Sequence, residues 1–235
     1  MNLLLFAKDE RVEPDRIVLR DQRLRHLLDV HGASAGDTLR VGEVDGLVGE
    51  GRILRIDAGE AELEVRLEQS PPEKLPLILV LALPRPKMLR RILRAVAEFG
   101  VPELHLINSY RVEKSFWKTP ALEADTVRGY LLQGLQQARD TRLPTVHRHR
   151  GFKPFVEDTL PRLLEGTTGL VAHPGDHPPC PRSATGPILL AIGPEGGFIP
   201  YEVEKLQASG CAVVSLGPRI LRVENARLAA LGRLF

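Results

Sequence analysis

The chain has 235 residues, of which 43% are hydrophobic and 26% charged, and its formal net charge is +2. This composition is that of an ordinary globular protein with a core, and the near-neutral charge excludes a bulk electrostatic argument for nucleic-acid binding. Arginine is instead concentrated locally, around residues 85–94 and 139–150.

The cysteines and the apolar runs bear on the compartment. Cys180 and Cys211 lie in unrelated contexts, which predicts neither a disulfide framework nor a metal centre. The opening apolar run reaches Lys8 too soon for a signal peptide, and no later run approaches the ~20 apolar residues of a membrane span. We therefore expect a soluble, cytoplasmic protein with no metal and no membrane partner.

Short strands are predicted in the first part of the chain. Residues 39–41, 47–56 and 61–67 alternate apolar and polar side chains, with glycines between them. Residues 21–31 have leucines at helical spacing. These patterns predict a small β-barrel-like domain over residues 1–70, a size that can fold alone.

The proline-containing segment 69–74 ends this pattern, and a second domain is predicted over residues 71–235. Near-continuous apolar runs then alternate with helical patterns, which is typical of a parallel α/β sheet. The predicted strands cover residues 75–83, 104–107, a short stretch before His147, 168–172, 188–192 and 212–216. The predicted helices cover residues 87–99, 122–138, 154–164 and 200–209.

Two of these strands end in a Gly-Pro turn, at Gly193-Pro194 and Gly217-Pro218. Buried parallel strands present backbone N–H and C=O groups at their carboxyl ends, where open α/β sheets bind ligands. The first turn, IGPEGG, matches no phosphate-binding fingerprint and could be only a tight strand-to-helix connection. Glu195 within it favours a ligand with hydroxyls or positive charge.

The second turn opens the sequence LGPRILRVENA, which carries Arg219, Arg222 and Glu224. In one interpretation the arginines are solvated, and Glu224 only stabilises the amino end of the last helix. In the other, the backbone holds a neutral heterocycle and the arginines face phosphate or a developing anion. The residues alone leave both interpretations open.

These two motifs, in this order, resemble those of the bacterial 16S ribosomal RNA uridine-N3 methyltransferases, which form the ribosomal RNA small subunit methyltransferase E family of the SPOUT superfamily. The resemblance implies an α/β domain of the SPOUT type, with a parallel sheet and a carboxyl-terminal trefoil knot, preceded by a PUA-like RNA-binding barrel. It also implies S-adenosyl-L-methionine as the cofactor, small-subunit ribosomal RNA as the substrate, and a homodimer.

The resemblance also assigns roles to residues of this chain. Arg222 would stabilise the anion of the target base, and Glu224 would accept its proton. The implied cofactor residues are the strand end at Val171 and His173, the first loop at Ile192, Gly193, Pro194, Glu195 and Gly197, and the second loop at Leu216, Gly217, Arg219, Ile220 and Leu221.

Other positions depart from the family pattern. The usual Arg-Thr-Glu-Thr reads Arg222-Val223-Glu224-Asn225, and a Glu-Gln-Ser reads Gln136-Gln137-Ala138. The predicted function is S-adenosylmethionine-dependent methylation of uridine N3 in 16S ribosomal RNA. The alternatives are a catalytically altered RNA-binding or ribosome-assembly module, and a methyltransferase with another target base.

The arginine-rich segments supply candidate RNA contacts, although most charge runs are only solvated surfaces. His147 and His149 are interpreted as surface polar residues because their spacing matches no metal site. Trp117 could stack on a base or pack in the core. The predicted RNA-binding residues are Arg85, Lys87, Arg90, Arg94, Arg111, Arg139 and Arg142.

Overall fold

The computed structural model describes residues 2–235 and divides into two compact units. The first unit comprises the residues up to Glu73 together with Leu131–Leu143. The second comprises Lys74–Tyr130 and Pro144–Phe235. The predicted boundary after residue 70 assigned Leu131–Leu143 to the second domain, whereas its contacts group it with the first. The sequence does not reveal this because the segment continues one helical pattern.

The first unit is built on a six-stranded sheet and one amphipathic helix. The predicted strands are present. Three further strands precede the helix, and at three or four residues each they are too short to be recognised from a period-2 pattern. Its elements are β1 (Leu4–Phe6), β2 (Arg11–Glu13), β3 (Arg16–Leu19), α1 (Gln22–Asp29), β4 (Thr38–Glu43), β5 (Val48–Ile56) and β6 (Ala61–Gln69). The strand order is β1-β4-β5-β6-β3-β2, with β1 parallel to β4 and the other pairs antiparallel.

The core of this unit follows from alternation along the strands. In β6, Leu63 and Val65 are buried while Glu64 between them is exposed. Leu24 and Leu27 of α1 pack into the same apolar cluster as Leu63. The period-2 strand pattern and the helical leucine spacing therefore meet in one core.

The second unit contains a six-stranded sheet in which every neighbouring pair is parallel. Ile188–Ile192 is buried at every position, as expected for a strand covered on both faces. The strands are β7 (Leu77–Ala82), β8 (Glu103–Ile107), β9 (Thr145–His149), β10 (Thr168–Ala172), β11 (Ile188–Ile192) and β12 (Ala212–Val214). Their order is β12-β10-β11-β7-β8-β9, and β9 includes His147 and His149, which the sequence had left beyond a shorter strand.

The helices begin and end close to the predicted positions. The first long helix has Pro86 as its first residue and is followed by Gly100, whose φ of +67° suits glycine. The segment predicted to begin at Pro154 begins instead at Phe152 and has π-helical geometry over Phe155–Thr159. The helices are α2 (Pro86–Glu98), α3 (Ala124–Ala138), α4 (Phe152–Pro154), α5 (Leu160–Leu163), α6 (Pro200–Ala208) and α7 (Val223–Leu234).

The helices and the two cysteines bear on membrane crossing and on thiol reactivity. Among residues 2–235, no helix combines the length and apolar character needed to cross a bilayer. Cys180 and Cys211 are both free and buried, and burial raises the pKa of the Cys211 thiol to about 11. Both thiols are therefore protonated and protected from reagents at neutral pH.

Truncating Leu63 should destabilise the first unit strongly. The Leu63 side chain is 0% exposed, whereas Leu47 is 42% exposed. Leu63→Ala should lower the free energy of unfolding by about 2–5 kcal/mol, because it removes buried methyl groups and leaves a cavity. Urea denaturation would measure this, with Leu47→Ala as a matched control expected to stay within about 0.5 kcal/mol of the unmodified protein. Equal losses in the two variants would contradict the assignment of Leu63 to the core.

Candidate active site

The loops after β11 and β12 surround one cavity. Strand β10 lies between β11 and β12 in the sheet and runs parallel to both, so the three carboxyl ends meet at one edge. The cavity at this edge measures about 550 Å³. Eleven of the predicted cofactor residues line it: His173, Ile192, Gly193, Pro194, Glu195, Gly197, Leu216, Gly217, Arg219, Ile220 and Leu221.

The structure does not bring Val171 to this cavity. Val171 is 0% exposed within β10, and its neighbour Ala172 lines the cavity instead. Successive side chains of a strand point to opposite faces of the sheet. Val171 and Ala172 therefore point in opposite directions, and only Ala172 lines the cavity. Phe198 and Pro174 also line the cavity and were not predicted, although both adjoin predicted residues.

Glycine is required in the first loop for steric reasons. A Cβ atom on Gly193 would lie 2.8 Å from the backbone nitrogen of Phe198. Gly197 has a φ of +73° and donates its N–H to the Pro194 carbonyl oxygen at 2.7 Å, which closes a tight turn. The second loop likewise has Gly217 at a φ of +125°. Both loops therefore depend on glycine for the backbone conformation that surrounds the cavity.

His173 at the end of β10 is a polar side chain of the cavity wall. Burial lowers its pKa, and the nearby charges of His177 and Arg111 lower it further. Its Nδ1 atom is buried and has no hydrogen-bond partner among the described residues. A neutral imidazole with an unused ring nitrogen can therefore bind a polar group of a ligand here.

Glu202 of α6 joins the first loop to the loop after β8. Its carboxylate is 2% exposed and accepts hydrogen bonds from the backbone N–H of Tyr110 at 2.8 Å and of Ile199 at 3.0 Å. Ser109 Oγ also donates to it, at 3.3 Å. Arg111 follows this anchor and donates a hydrogen bond to the Gly196 carbonyl oxygen. Sequence reasoning missed Glu202, although a glutamate in the first turn of a helix that begins with proline signals a capping role.

Arg222 and Glu224 line a second cavity, of about 500 Å³. Arg222 immediately precedes α7, and Glu224 lies in its first turn. Glu195 lines both cavities, and its Oε1 atom lies 4.0 Å from Arg85 Nε. The predicted catalytic pair and the predicted cofactor residues therefore belong to adjacent cavities that share one carboxylate. The remaining residues of the second cavity are Arg85, Lys87, Met88 and Arg91.

The other predicted RNA contacts of the second unit divide into distinct environments. Arg90 is exposed on α2. The guanidinium of Arg94 lies 4.7 Å from the centre of the Tyr130 ring, so it packs against its own unit. Trp117 is half-buried and donates from Nε1 to Asn108 Oδ1 at 2.9 Å, which favours its packing role.

Arg139 and Arg142 belong to the first unit. Arg142 donates hydrogen bonds to the carbonyl oxygens of Pro71 and Pro72, and thereby holds the proline-containing segment. Arg139 is exposed and lines a shallow cavity of its own unit. Neither residue lines the two cavities of the second unit.

His147 and His149, interpreted from the sequence as surface polar residues, are half-buried and belong to one cluster. Both rings stack on the buried ring of His105, at centroid distances of 4.4 Å and 5.1 Å. Burial lowers the pKa of His105 to about 4, although its hydrogen bond to Glu103 opposes this shift. Burial also lowers the pKa of His149.

The sequence of this chain matches a known protein family. Residues 71–235 match the family described as the RNA methyltransferase domain. The chain is also 31% identical, over 98% of its length and 89% of the relative's, to a protein of Treponema pallidum named ribosomal RNA small subunit methyltransferase E. This chain belongs to the ribosomal RNA small subunit methyltransferase E family. A relative of the same name from Synechocystis is 26% identical and covers 98% of this chain and 76% of the relative.

A solved member of the methyltransferase E family has the same fold. It is the ribosomal RNA small subunit methyltransferase E of Neisseria gonorrhoeae, crystallised bound to S-adenosyl methionine. The two chains superpose with a TM-score of 0.78 over 97% of this chain and 95% of the other, at 21% identity. The α/β arrangement with a parallel sheet is therefore common to both.

Removing the Glu202 carboxylate should loosen the site of this methyltransferase family member. Glu202→Ala leaves two backbone N–H groups and one hydroxyl without their buried acceptor, which should cost about 1–3 kcal/mol of unfolding free energy. Glu204→Ala, at an exposed position of the same helix, is the matched control and should have little effect. Chemical denaturation would measure both variants, and an unchanged stability in Glu202→Ala would show that the carboxylate does not hold the loops.

Proposed function

We propose that this protein transfers a methyl group from S-adenosyl-L-methionine to N3 of a uridine in the RNA of the small ribosomal subunit. The observation that carries the proposal is the pair of adjacent cavities, one walled by the two glycine loops and the other containing Arg222 and Glu224, with Glu195 common to both. Family membership and the names of the relatives support the same reaction class. The basic residues of the second cavity suit a polyanionic substrate.

The first cavity suits the cofactor in size and in chemistry. Its volume of about 550 Å³ lies within the range of roughly 300–1,000 Å³ that is usual for small-molecule sites. Gly193 lets the first loop pack against the Phe198 backbone, which sets the shape of the cavity, and the unused Nδ1 of His173 can pair with a polar group. Bound there, the sulfonium supplies an activated methyl group for in-line transfer. The residues that would hold it are those of the two glycine loops and His173.

Arg222 and Glu224 have complementary roles in the proposed reaction. Uridine N3 carries a weakly acidic proton, and it becomes a better nucleophile as that proton leaves. Arg222 immediately precedes α7, and its guanidinium would stabilise the negative charge on the base carbonyl groups. Glu224 lies on the same cavity wall and would accept the proton. We assign the electrostatic role to Arg222 more firmly, since Glu224 also suits the helix amino terminus.

The proposal extends to the architecture and assembly implied by the family resemblance. Residues 71–235 would form a SPOUT domain whose glycine loops are part of a trefoil knot, and residues 1–70 a PUA-like RNA-binding barrel. The two loops that the family resemblance assigns to the knot line one cavity, and the small, mainly antiparallel sheet of the first unit supports the barrel. The enzyme would act in the cytoplasm as a homodimer. Its contacts with RNA would include Arg85, Lys87, Arg90 and Arg111.

Gly193→Ala should weaken cofactor binding. The added methyl group would collide with the Phe198 backbone, and the loop would have to move away from the ligand. We expect S-adenosylmethionine affinity in isothermal titration calorimetry to fall roughly tenfold or more, equivalent to ~1.4 kcal/mol. Gly186→Ala is the matched control, because a Cβ there meets no atom within 4 Å. If the unmodified protein binds neither S-adenosylmethionine nor S-adenosylhomocysteine at millimolar concentration, the proposal fails.

Arg222→Ala should remove most of the activity while sparing the cofactor. In a strain lacking the gene, mass spectrometry of ribosomal RNA nucleosides should reveal loss of 3-methyluridine, restored by the unmodified gene. Arg222→Ala should reduce the methylation rate by about 10²–10³, as for loss of one donor to a developing anion. Its S-adenosylmethionine affinity should stay close to that of the unmodified protein.

Two other outcomes would favour the alternatives. An unchanged nucleoside profile in the deletion strain, together with intact RNA binding by the purified protein, would favour a ribosome-assembly module. Loss of a different methylated nucleoside would retain the methyltransferase and replace uridine as the target.

A further inference from the structure

Strands β8 and β9 assemble a cluster of one carboxylate and three imidazoles. In the parallel register, His105 is opposite His147, and Glu103 and His149 lie two residues from this pair on their own strands. Side chains two apart on a strand share one face, so all four lie on the same side of the sheet. The pairing of two strands that are about 40 residues apart in sequence therefore creates a site that no local motif encodes.

The polar atoms of three of these residues converge. Glu103 Oε1 lies 2.9 Å from His105 Nε2 and 3.0 Å from His147 Nε2. The potential ligand atoms of the three side chains all lie within 4.8 Å of one another. Two imidazole nitrogens thus point at one carboxylate oxygen, which is a combination of ligands that zinc uses in proteins.

We propose that Glu103, His105 and His147 bind a divalent transition-metal ion, of which Zn²⁺ is the expected occupant. Zinc lies about 2.0–2.1 Å from imidazole nitrogen, so neighbouring ligands of a tetrahedral site are about 3.3–3.4 Å apart. The observed 2.9 Å and 3.0 Å separations reach this value with an opening of a few tenths of an ångström. The ion needs the lone pair of each Nε2 atom, so each neutral imidazole ligand carries its one proton on Nδ1 instead.

The fourth ligand of the site is water. The side chains of His147 and Glu103 are 40% and 31% exposed, whereas that of His105 is 3% exposed. The buried imidazole of His105 therefore forms the inner side of the site, and the side formed by His147 and Glu103 is open to solvent. This open side also provides the entry path for the ion.

His149 holds the buried ligand in position. Its Nε2 atom lies 2.9 Å from His105 Nδ1. When His105 coordinates through Nε2, its Nδ1–H donates to His149 Nε2, which selects the tautomer and fixes the ring. Metal-bound histidines almost always have such a partner on the second nitrogen. His149 is thus a positioning residue and not a ligand.

The site has a structural role that is independent of the proposed methyl transfer. Among residues 2–235, strand β9 is at the edge of the sheet and pairs only with β8. An ion held by Glu103 and His105 from β8 and by His147 from β9 links these strands through their side chains. None of the three ligands is among the described residues that line the two cavities of the candidate active site.

Zinc binding by the full-length protein tests the proposal directly. After treatment with a chelator and removal of the chelator, titration with ZnCl₂ should give one ion per chain and raise the melting temperature. Co²⁺ should give the visible absorption of a four-coordinate ion, and Mg²⁺ should give no change.

Variants assign the site and separate ligands from the positioning residue. His147→Ala and Glu103→Gln should each abolish stoichiometric zinc binding, and Glu103→Gln keeps the side-chain shape in case His147→Ala folds poorly. His149→Ala should retain one ion with an affinity reduced roughly 10- to 100-fold. His26→Ala, which alters a histidine of the first unit, should bind as the unmodified protein does. The proposal is overturned if the unmodified protein does not bind zinc, or if Glu103→Gln binds it equally well. S-adenosylmethionine binding should be the same in the unmodified protein and in every variant.

Discussion

The pairing of β10 with both β11 and β12 is the constraint on which the candidate active site depends. Val171 is in register with Ala191 on one side and with Val213 on the other, so three carboxyl ends stop at one edge of the sheet. Each strand end continues into a loop, and the two glycine loops face one another there. A slip of one residue in either pairing would move a loop by about 3.3 Å. The buried apolar side chains of these strands hold the register, because a slip would disrupt their close packing on both faces of the sheet. Main-chain hydrogen bonding and burial thus bring together two motifs that are separate in the sequence.

The loops themselves are held by backbone geometry and by one buried side chain. Gly193 permits a contact with the Phe198 backbone that any Cβ would prevent, and Gly197 closes the turn through a left-handed conformation. Glu202 then binds the loop after β8 to the start of α6 through two backbone N–H groups. A buried carboxylate is costly unless it is hydrogen-bonded, and Glu202 accepts three hydrogen bonds that offset this cost. As a result Arg111, a predicted RNA contact, also lies at the wall of the glycine-loop cavity.

The sequence was most informative where a local pattern determines the local structure. Strand β11 and helix α2 were predictable from apolar runs and from helical spacing, and the two Gly-Pro turns were recognisable as a pair. What depends on pairing between distant segments was not predictable. His105 and His147 become neighbours only through the register of β8 and β9, so their spacing along the chain carried no signal. Val171 was displaced from the cavity by one step of strand alternation, which the boundaries of a predicted strand do not resolve. The grouping of residues 131–143 with the first unit likewise depends on tertiary contacts alone.

The Glu195 carboxylate, which lines both cavities, can couple binding in one cavity to binding in the other. Arg85 and Glu195 are 4.0 Å apart with side chains 70% and 38% exposed, so in water their attraction contributes only about 0–1 kcal/mol. A bound polyanion would cover this pair and exclude water, which lowers the effective dielectric constant around it. The interaction energy of two unit charges 4 Å apart is about 1 kcal/mol in water and about 4 kcal/mol at an effective dielectric constant of about 20. A phosphate group beside Arg85 would then compete with Glu195 for the same guanidinium. Because Glu195 belongs to the glycine loop, occupation of the basic cavity would alter the charge that the other cavity presents to its ligand. Binding at the two sites is therefore expected to be energetically coupled, and by linkage the coupling acts equally in both directions.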